Sequence, residues 1–269
     1  MPLFVPATRP DRLDKAAASG ADAVIVDLED AVTEKDKIPA RNSLRDVRLP
    51  ECAVILRINE VGSVWHDEDL NVASELGVSA IMLPKSEDAN AITSIHDVTG
   101  IPILALVETA KGIANLGAIA GASGVVRLVF GSVDYAADIG CAHDPEPLLF
   151  ARMQIVQASR LAALAPPIDG VTLSIADAET IEADARRAIR LGFSSKLSIH
   201  PLQVPALWSG LCPSKENVEW AERVIEAEGV GAALVDGAMV DAPVHQSATR
   251  ILNRYKMYKK QALVPCTIS

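Results

Sequence analysis

Eight short, nearly uninterrupted apolar runs recur along the chain: Leu3–Pro6, Ala23–Asp27, Ala53–Ile58, Ala80–Leu83, Ile101–Val107, Val125–Phe130, Ile168–Leu173 and Lys196–Ile199. A strand with one wet face alternates apolar and polar residues, so continuous runs predict strands covered on both faces. Between them, Asp11–Ser19, Lys35–Val47, Asp67–Leu76, Ser86–Val98, Thr109–Ala120, Pro145–Leu164 and Asp177–Leu191 read as amphipathic helices. The stretch 101–134 shows the unit most clearly: strand, helix, strand, with no turn short enough for a hairpin. Such a crossover makes the two strands parallel. Eight units in about 200 residues predict a closed (β/α)8 TIM barrel. A doubly wound open sheet is the alternative, but it usually carries a glycine-rich loop after its first strand. Here that strand is followed by ATRPDR, without glycine.

The barrel is expected to occupy residues 1–211 and a C-terminal helical extension residues 212–269. Ser214 reads as the N-cap of a helix over Asn217–Glu228. The glycine-rich GVGAALVDGAMVDAPV follows, with Asp236 and Asp241, then a helix over Val244–Tyr258 and a frayed end, Gln261–Ser269. The barrel does not need this extension, which is free to cover the rim of its own or a neighbouring barrel.

Composition narrows the function. Aromatics make up 4% of the residues and the formal charge is −10, which disfavours base stacking and a nucleic-acid partner. The four cysteines, Cys52, Cys141, Cys212 and Cys266, form no CxxC pair and fit a reducing compartment. No apolar run reaches membrane-spanning length, and the N-terminus lacks the pattern of a signal peptide. A cytoplasmic protein is expected.

In such a barrel, chemistry sits at the carboxyl ends of the strands. Glu108 and Asp134 follow the fifth and sixth runs at matching positions and should project from one rim. Two close carboxylates repel unless a cation lies between them, and two carboxylates plus waters commonly hold Mg²⁺. Alternatively, each acid caps the helix that follows it. After the first strand, Thr8-x-x-Asp11 resembles a capping box with Arg9 and Arg12 beside it, an arrangement suited to phosphate or to plain capping. Three acids, Asp27, Glu29 and Asp30, follow the second strand and need nearby cations, either a metal's waters or Lys85 and Arg57. Arg57 either pairs with these acids or clamps a substrate carboxylate through its fork. Lys85 is assigned to a supporting ion pair rather than a Schiff base. His200, before Pro201, is either a structural histidine or a substrate contact. A carboxylate-held Mg²⁺ beside an arginine suits carbon–carbon bond chemistry next to the carbonyl of a 2-oxo acid.

The segments FVPATRPDRLDKAAASGADAVIVDLEDAV, LRIN, IMLPK, LVETAKG, VFGSVDY, KLSIHPLQV and VDGAMVDAPV together resemble the citrate lyase β-subunit-like family, with its malyl-CoA and citramalyl-CoA lyase relatives, from about Leu3 to Tyr258. The resemblance implies a Mg²⁺-dependent TIM-barrel lyase that cleaves or forms 3-hydroxyacyl thioesters by Claisen-type chemistry. It implies Glu108 and Asp134 as metal ligands and Arg57 as the 2-oxo acid clamp. It places the backbone of Gly131, Ser132 and Val133 at the substrate carboxylate, and Arg9, Arg12 and Lys15 near the CoA phosphates. Asp241 would act as acid/base in a neighbouring subunit's site, making the active unit a homotrimer or homohexamer. The chain departs from the family at Val133, where a Glu usually precedes the metal Asp, and this bears on the preferred oxo acid. Other expectations are the β subunit of a multi-enzyme citrate lyase working on a carrier-protein thioester, a thioester-free 4-hydroxy-2-oxo acid aldolase, and a non-catalytic acyl-CoA-binding barrel.

Overall fold

The computed structural model describes residues 1–227 and 234–262. Eight parallel strands form one sheet in sequence order: β1 (Pro2–Pro6), β2 (Ala23–Asp27), β3 (Ala53–Arg57), β4 (Ala80–Leu83), β5 (Ile103–Val107), β6 (Val125–Phe130), β7 (Ile168–Asp169) and β8 (Ser195–Lys196). The ring closes where Leu3 bridges Ser198 in parallel, with Phe4 N–H donating to Ser198 O at 2.9 Å and Ser198 N–H to Pro2 O at 3.0 Å. The predicted TIM-barrel-like fold is therefore observed, and the open sheet is not.

The uninterrupted apolar runs are explained by two cores sharing the strands. Ile25, Ile55, Met82, Leu104, Val129 and Leu197 fill the barrel interior. Their neighbours in sequence, among them Val24, Val26, Leu56, Ile81, Ile103 and Leu128, pack outward against the helices. Successive residues point to opposite faces, and here both faces are buried.

Several boundaries differ from the sequence expectation for local reasons. The helix expected over Thr109–Ala120 is two, Ala110–Ala114 and Leu116–Ala120, broken at Asn115. Its start is capped by Thr109, whose Oγ1 accepts the Gly112 N–H. A helix over Ser132–Ile139, absent from the sequence reading, follows β6 directly and ends at Gly140 in the left-handed conformation. The Thr8–Asp11 capping box does not form: the Asp11 carboxylate is taken by Arg9, and a 3-10 turn, Pro10–Arg12, leads into a short helix over Leu13–Ala17.

Beyond the barrel, Ser214 caps a helix over Lys215–Glu226 by accepting the Asn217 N–H. A small antiparallel hairpin pairs Leu234–Val235 with Ala238–Met239, and a long helix runs over Ala242–Ala262. Ala221, Val224, Val235 and Ala248 form a separate small core here. Glu228, the first five residues of the glycine-rich stretch (229–233) and residues 263–269 of the expected frayed end lie outside the described residues. Among the described residues no helix is long and apolar enough to cross a membrane.

Candidate active site

The carboxyl ends of the strands surround a cavity of about 380 Å³. Its lining includes Asp27 and Asp30 from the β2 turn, Arg57 from β3, Glu108 after β5, and Gly131–Asp134 after β6. The parallel pairing of β5 with β6, in which Val107 sits opposite Phe130, brings Glu108 and Asp134 to one rim.

Glu108 is 3% exposed. Its Oε1 accepts the Lys85 backbone N–H at 2.7 Å. Lys85 adopts a φ of 44°, in the left-handed region that non-glycine residues seldom occupy. The other oxygen, Oε2, lies so near Gly131 that a Cβ there would sit 2.4 Å from it. Glycine at 131 is thus needed for the carboxylate to hold this position. Burial, then the charges of Glu29 and Asp134, push the Glu108 pKa up to about 8. Asp134 is raised as well, by burial and by Asp30.

Arg57, 7% exposed, is the organising cation. Its Nε and Nη2 grip Asp27 as a fork, at 2.8 and 2.6 Å. Its Nη1 faces Glu29 at 2.8 Å and Asp30 at 3.0 Å. The guanidinium lies 5.0 Å from the centroid of the Phe4 ring. Burial works against the charge, but Asp27, Glu29 and Asp30 outweigh it and hold the group firmly protonated. Of the two roles read from the sequence, the ion pair with the DLED acids is present in the structure. Glu29 is raised to about 7, first by burial and then by Asp30 and Asp27 acting against Arg57.

The DLED turn is held from behind by residues the sequence reading passed over. Lys37, 6% exposed, donates from Nζ to the carbonyls of Leu28 and Glu29 at 2.9 and 3.0 Å and to Asn59 Oδ1 at 2.6 Å. Asn59 in turn donates to Asp69, which pairs with Arg41 at 2.7 Å. On the opposite side, buried Ser132 shares a 2.9 Å hydrogen bond with the His143 ring. Behind it Asp169 joins Arg152 and Lys196 at 2.9 and 3.2 Å.

Other predicted residues lie elsewhere. Lys85 Nζ pairs with Glu60 at 2.8 Å, not with the DLED acids; its link to the site is through its backbone. His200 caps the 3-10 turn Pro201–Gln203, its Nδ1 accepting the Leu202 N–H, and does not line the cavity. Arg9 and Arg12 are exposed on the turn after β1 and Lys15 on the short helix Leu13–Ala17, with the charge of Arg9 engaged by Asp11. Asp241 is exposed and caps the helix Ala242–Ala262, its Oδ1 accepting the Val244 N–H at 3.1 Å. Its sequence rival, Asp236, is occupied by Arg223 at 2.7 Å.

The fit to a divalent cation follows from charge. Buried Asp27, Glu29 and Glu108 and the more exposed Asp30 and Asp134 gather around a single arginine. Among the described residues no three His, Cys, Asp or Glu side chains gather as a ready metal cage. The carboxylate pair is therefore the unit to consider, and Mg²⁺ is commonly held by one or two carboxylates with substrate oxygens and waters completing the shell.

Protonation of Glu108 makes this testable. A cation must displace its proton, so Mg²⁺ affinity is expected to rise up to about tenfold per pH unit as pH climbs towards 8, then level off. The folded pKa lies above the unfolded value, so the metal-free fold holds protons that the unfolded chain releases. Its stability is expected to fall as pH rises from about 4.5 to 8, with Mg²⁺ offsetting the loss. Calorimetric titration and thermal melts over pH 6–9, with and without the ion, read both trends.

Comparison with known proteins agrees with this architecture. The chain is 37% identical to a citrate lyase subunit beta-like protein of Mycobacterium tuberculosis, over 94% of each chain. It is 32% identical to a (3S)-malyl-CoA thioesterase of Cereibacter sphaeroides, over 89% of this chain and 88% of the other. A crystal structure of the protein CitE from Mycobacterium tuberculosis, in complex with magnesium, acetoacetate and coenzyme A, superposes with a TM-score of 0.87 at 36% identity, covering 95% of this chain and 97% of that one. With a family model matched over residues 1–201 as well, the chain belongs to the HpcH/HpaI aldolase/citrate lyase family of lyases, as its motifs suggested.

Proposed function

We propose that the protein is a Mg²⁺-dependent carbon–carbon lyase that cleaves or forms a 3-hydroxyacyl-CoA thioester, with acyl-CoA and a 2-oxo acid as the other side of the reaction. The observation that carries this reading is the acid pair of buried Glu108 and more exposed Asp134, on the rim of a cavity whose negative charge outweighs its one arginine. The magnesium, acetoacetate and coenzyme A in the solved relative fit the same reading.

Glu108 and Asp134 would hold the ion. Bound there, Mg²⁺ supplies positive charge to the oxo acid's carboxylate and keto oxygen. Arg57, fixed by Asp27, presents Nη1 to the cavity, where a substrate carboxylate can take the place of the mostly exposed Asp30. The N–H groups of Ser132 and Val133, at the first turn of the helix Ser132–Ile139, offer free donors to the same carboxylate. Arg12 and Lys15, exposed after β1, would meet the CoA phosphates.

Asp241 is assigned as the acid/base on the acyl-CoA α-carbon of a neighbouring subunit. The hairpin leading to it exposes Leu234 (70%) and Met239 (67%), apolar surface suited to burial against a second copy. The protein would then work as a homotrimer or homohexamer.

Incubating the enzyme with Mg²⁺ and acyl-CoAs against a panel of 2-oxo acids tests the reading: a new 3-hydroxyacyl-CoA should appear and vanish with chelator. Arg57→Lys keeps the charge but loses the fork, so KM for the oxo acid should rise tenfold or more while KM for the thioester stays nearly unchanged. A lowered melting temperature with both KM values unchanged would leave Arg57 a purely structural residue.

A further inference from the structure

A buried group of charges behind the helix Ser132–Ile139 does not balance. Asp169 on β7 and Lys196 on β8 are register partners. Their sequence neighbours Ile168 and Leu197 fill the barrel interior, so Asp169 and Lys196 point outward beneath the helices. Arg152 reaches the same place from the helix Leu149–Leu161, its guanidinium 5.4 Å from the centroid of the Phe130 ring. The two cations share one carboxylate: Asp169 Oδ1 takes Arg152 Nε, and Oδ2 takes Lys196 Nζ. Lys196 is 1% exposed and Arg152 5%. Arg152 Nη1 is buried without a hydrogen-bond partner among the described residues. One positive charge is left over. Asp184, on the helix Ala178–Leu191, is taken by Arg187 at 2.6 Å. His143 adds no charge at neutral pH, because burial, then Arg152 and Lys196, lower its pKa.

A surplus charge out of water is costly unless an anion comes to it. Ser132 marks where one can come. Gly170, next to Asp169, packs so closely on Ser132 that a Cβ at 170 would collide with its Oγ. Ser132 itself lines the cavity. The charge group therefore lies behind the first turn of the helix, where it adds to the helix's positive pole. An entering carboxylate has need of it. The wall opposite is acidic, and the fork of Arg57 is filled by Asp27.

Resting on the reading above that a carboxylate binds at the N–H groups of Ser132 and Val133, we propose that Arg152 and Lys196 are positioning residues for it: their surplus charge, shared over Asp169, holds the anion from behind the helix without touching it.

Removing either cation leaves Asp169 one partner and a balanced pair. In Lys196→Met and in Arg152→Met, the metal-free melting temperature should therefore hold or rise. Calorimetric binding of pyruvate to the Mg²⁺-loaded protein should weaken about tenfold or more in each, the order expected for losing one buried unit charge. Mg²⁺ affinity should hold or increase, since the acids lose a neighbouring cation. Arg152→Lys, which keeps the charge, should recover most of the pyruvate affinity. Unchanged pyruvate affinity in either folded variant would overturn the proposal. So would equal losses of pyruvate and Mg²⁺ affinity with a lowered melting temperature, the signature of a purely structural brace. Acetate, a carboxylate without a keto group, is followed in parallel by saturation-transfer NMR and should weaken in the same variants. If the unaltered protein binds acetate but no 2-oxo acid, the oxo-acid reading fails and acetate decides the role of the two cations. If it binds neither, both fail.

Discussion

Asp134→Asn is expected to lower turnover by about 10²-fold or more while the fold persists. Asparagine has nearly the shape of aspartate but is a weaker partner for Mg²⁺. Removing one acid from a region that already crowds five around one arginine relieves repulsion, so the metal-free melting temperature should hold or rise. The rise in melting temperature produced by Mg²⁺ should shrink in parallel with activity. These opposite movements separate loss of a ligand from general damage, because a misfolded variant would lose stability with and without the ion. Full activity after rigorous chelation, in either protein, would remove the metal from the account.

Asp241→Asn is expected to abolish carbon–carbon chemistry while Mg²⁺ and oxo-acid binding survive. Asparagine caps a helix about as well as aspartate, so the Asp241–Val244 cap and the helix Ala242–Ala262 should be retained. What is lost is a group able to take a proton. The α-proton of a thioester is weakly acidic, and a carboxylate removes it only when closely placed and partly desolvated. Exposed in the single chain, Asp241 would gain that setting at a subunit boundary, and a segment joined through the hairpin can close over bound substrates. Mixing Asp241→Asn with Glu108→Ala subunits should restore part of the activity, since some hybrid interfaces combine an intact rim with an intact Asp241. No recovery in mixtures shown to have exchanged subunits would assign Asp241 to its own barrel or to no catalytic role.

The barrel was legible because its strands are buried on both faces, and the continuous runs of β2, β4 and β6 mark them to the residue. The short strands β7 and β8 were over-extended in the sequence reading: Val171 and Ile199 continue the apolar run but line the cavity after regular pairing has ended. No sequence expectation covered the helix Ser132–Ile139, which starts directly after β6 with Gly131 at its N-cap. That Glu108 and Asp134 share a rim was legible from two acids following consecutive apolar runs, but their positions do not match: Glu108 directly follows β5, whereas Asp134 lies in the first turn of the helix Ser132–Ile139. The supports of the site were not legible. Lys37 and Arg41 lie on a helix rich in charge, where a surface position is the ordinary expectation, and only the folded chain aims them at Asn59 and Asp69. The same holds for Lys85: its sequence position suggested an ionic role beside the acids, while the structure uses its backbone N–H to fix Glu108 and sends its ammonium to Glu60.

The central claim is carbon–carbon cleavage with the thioester left intact, and product stoichiometry tests it directly. A 3-hydroxyacyl-CoA such as malyl-CoA or citramalyl-CoA, incubated with enzyme and Mg²⁺, should yield one 2-oxo acid and one shorter acyl-CoA for each substrate consumed, with no free thiol. Release of free CoA with the hydroxy acid, and no oxo acid, would show thioester hydrolysis instead and contradict the account.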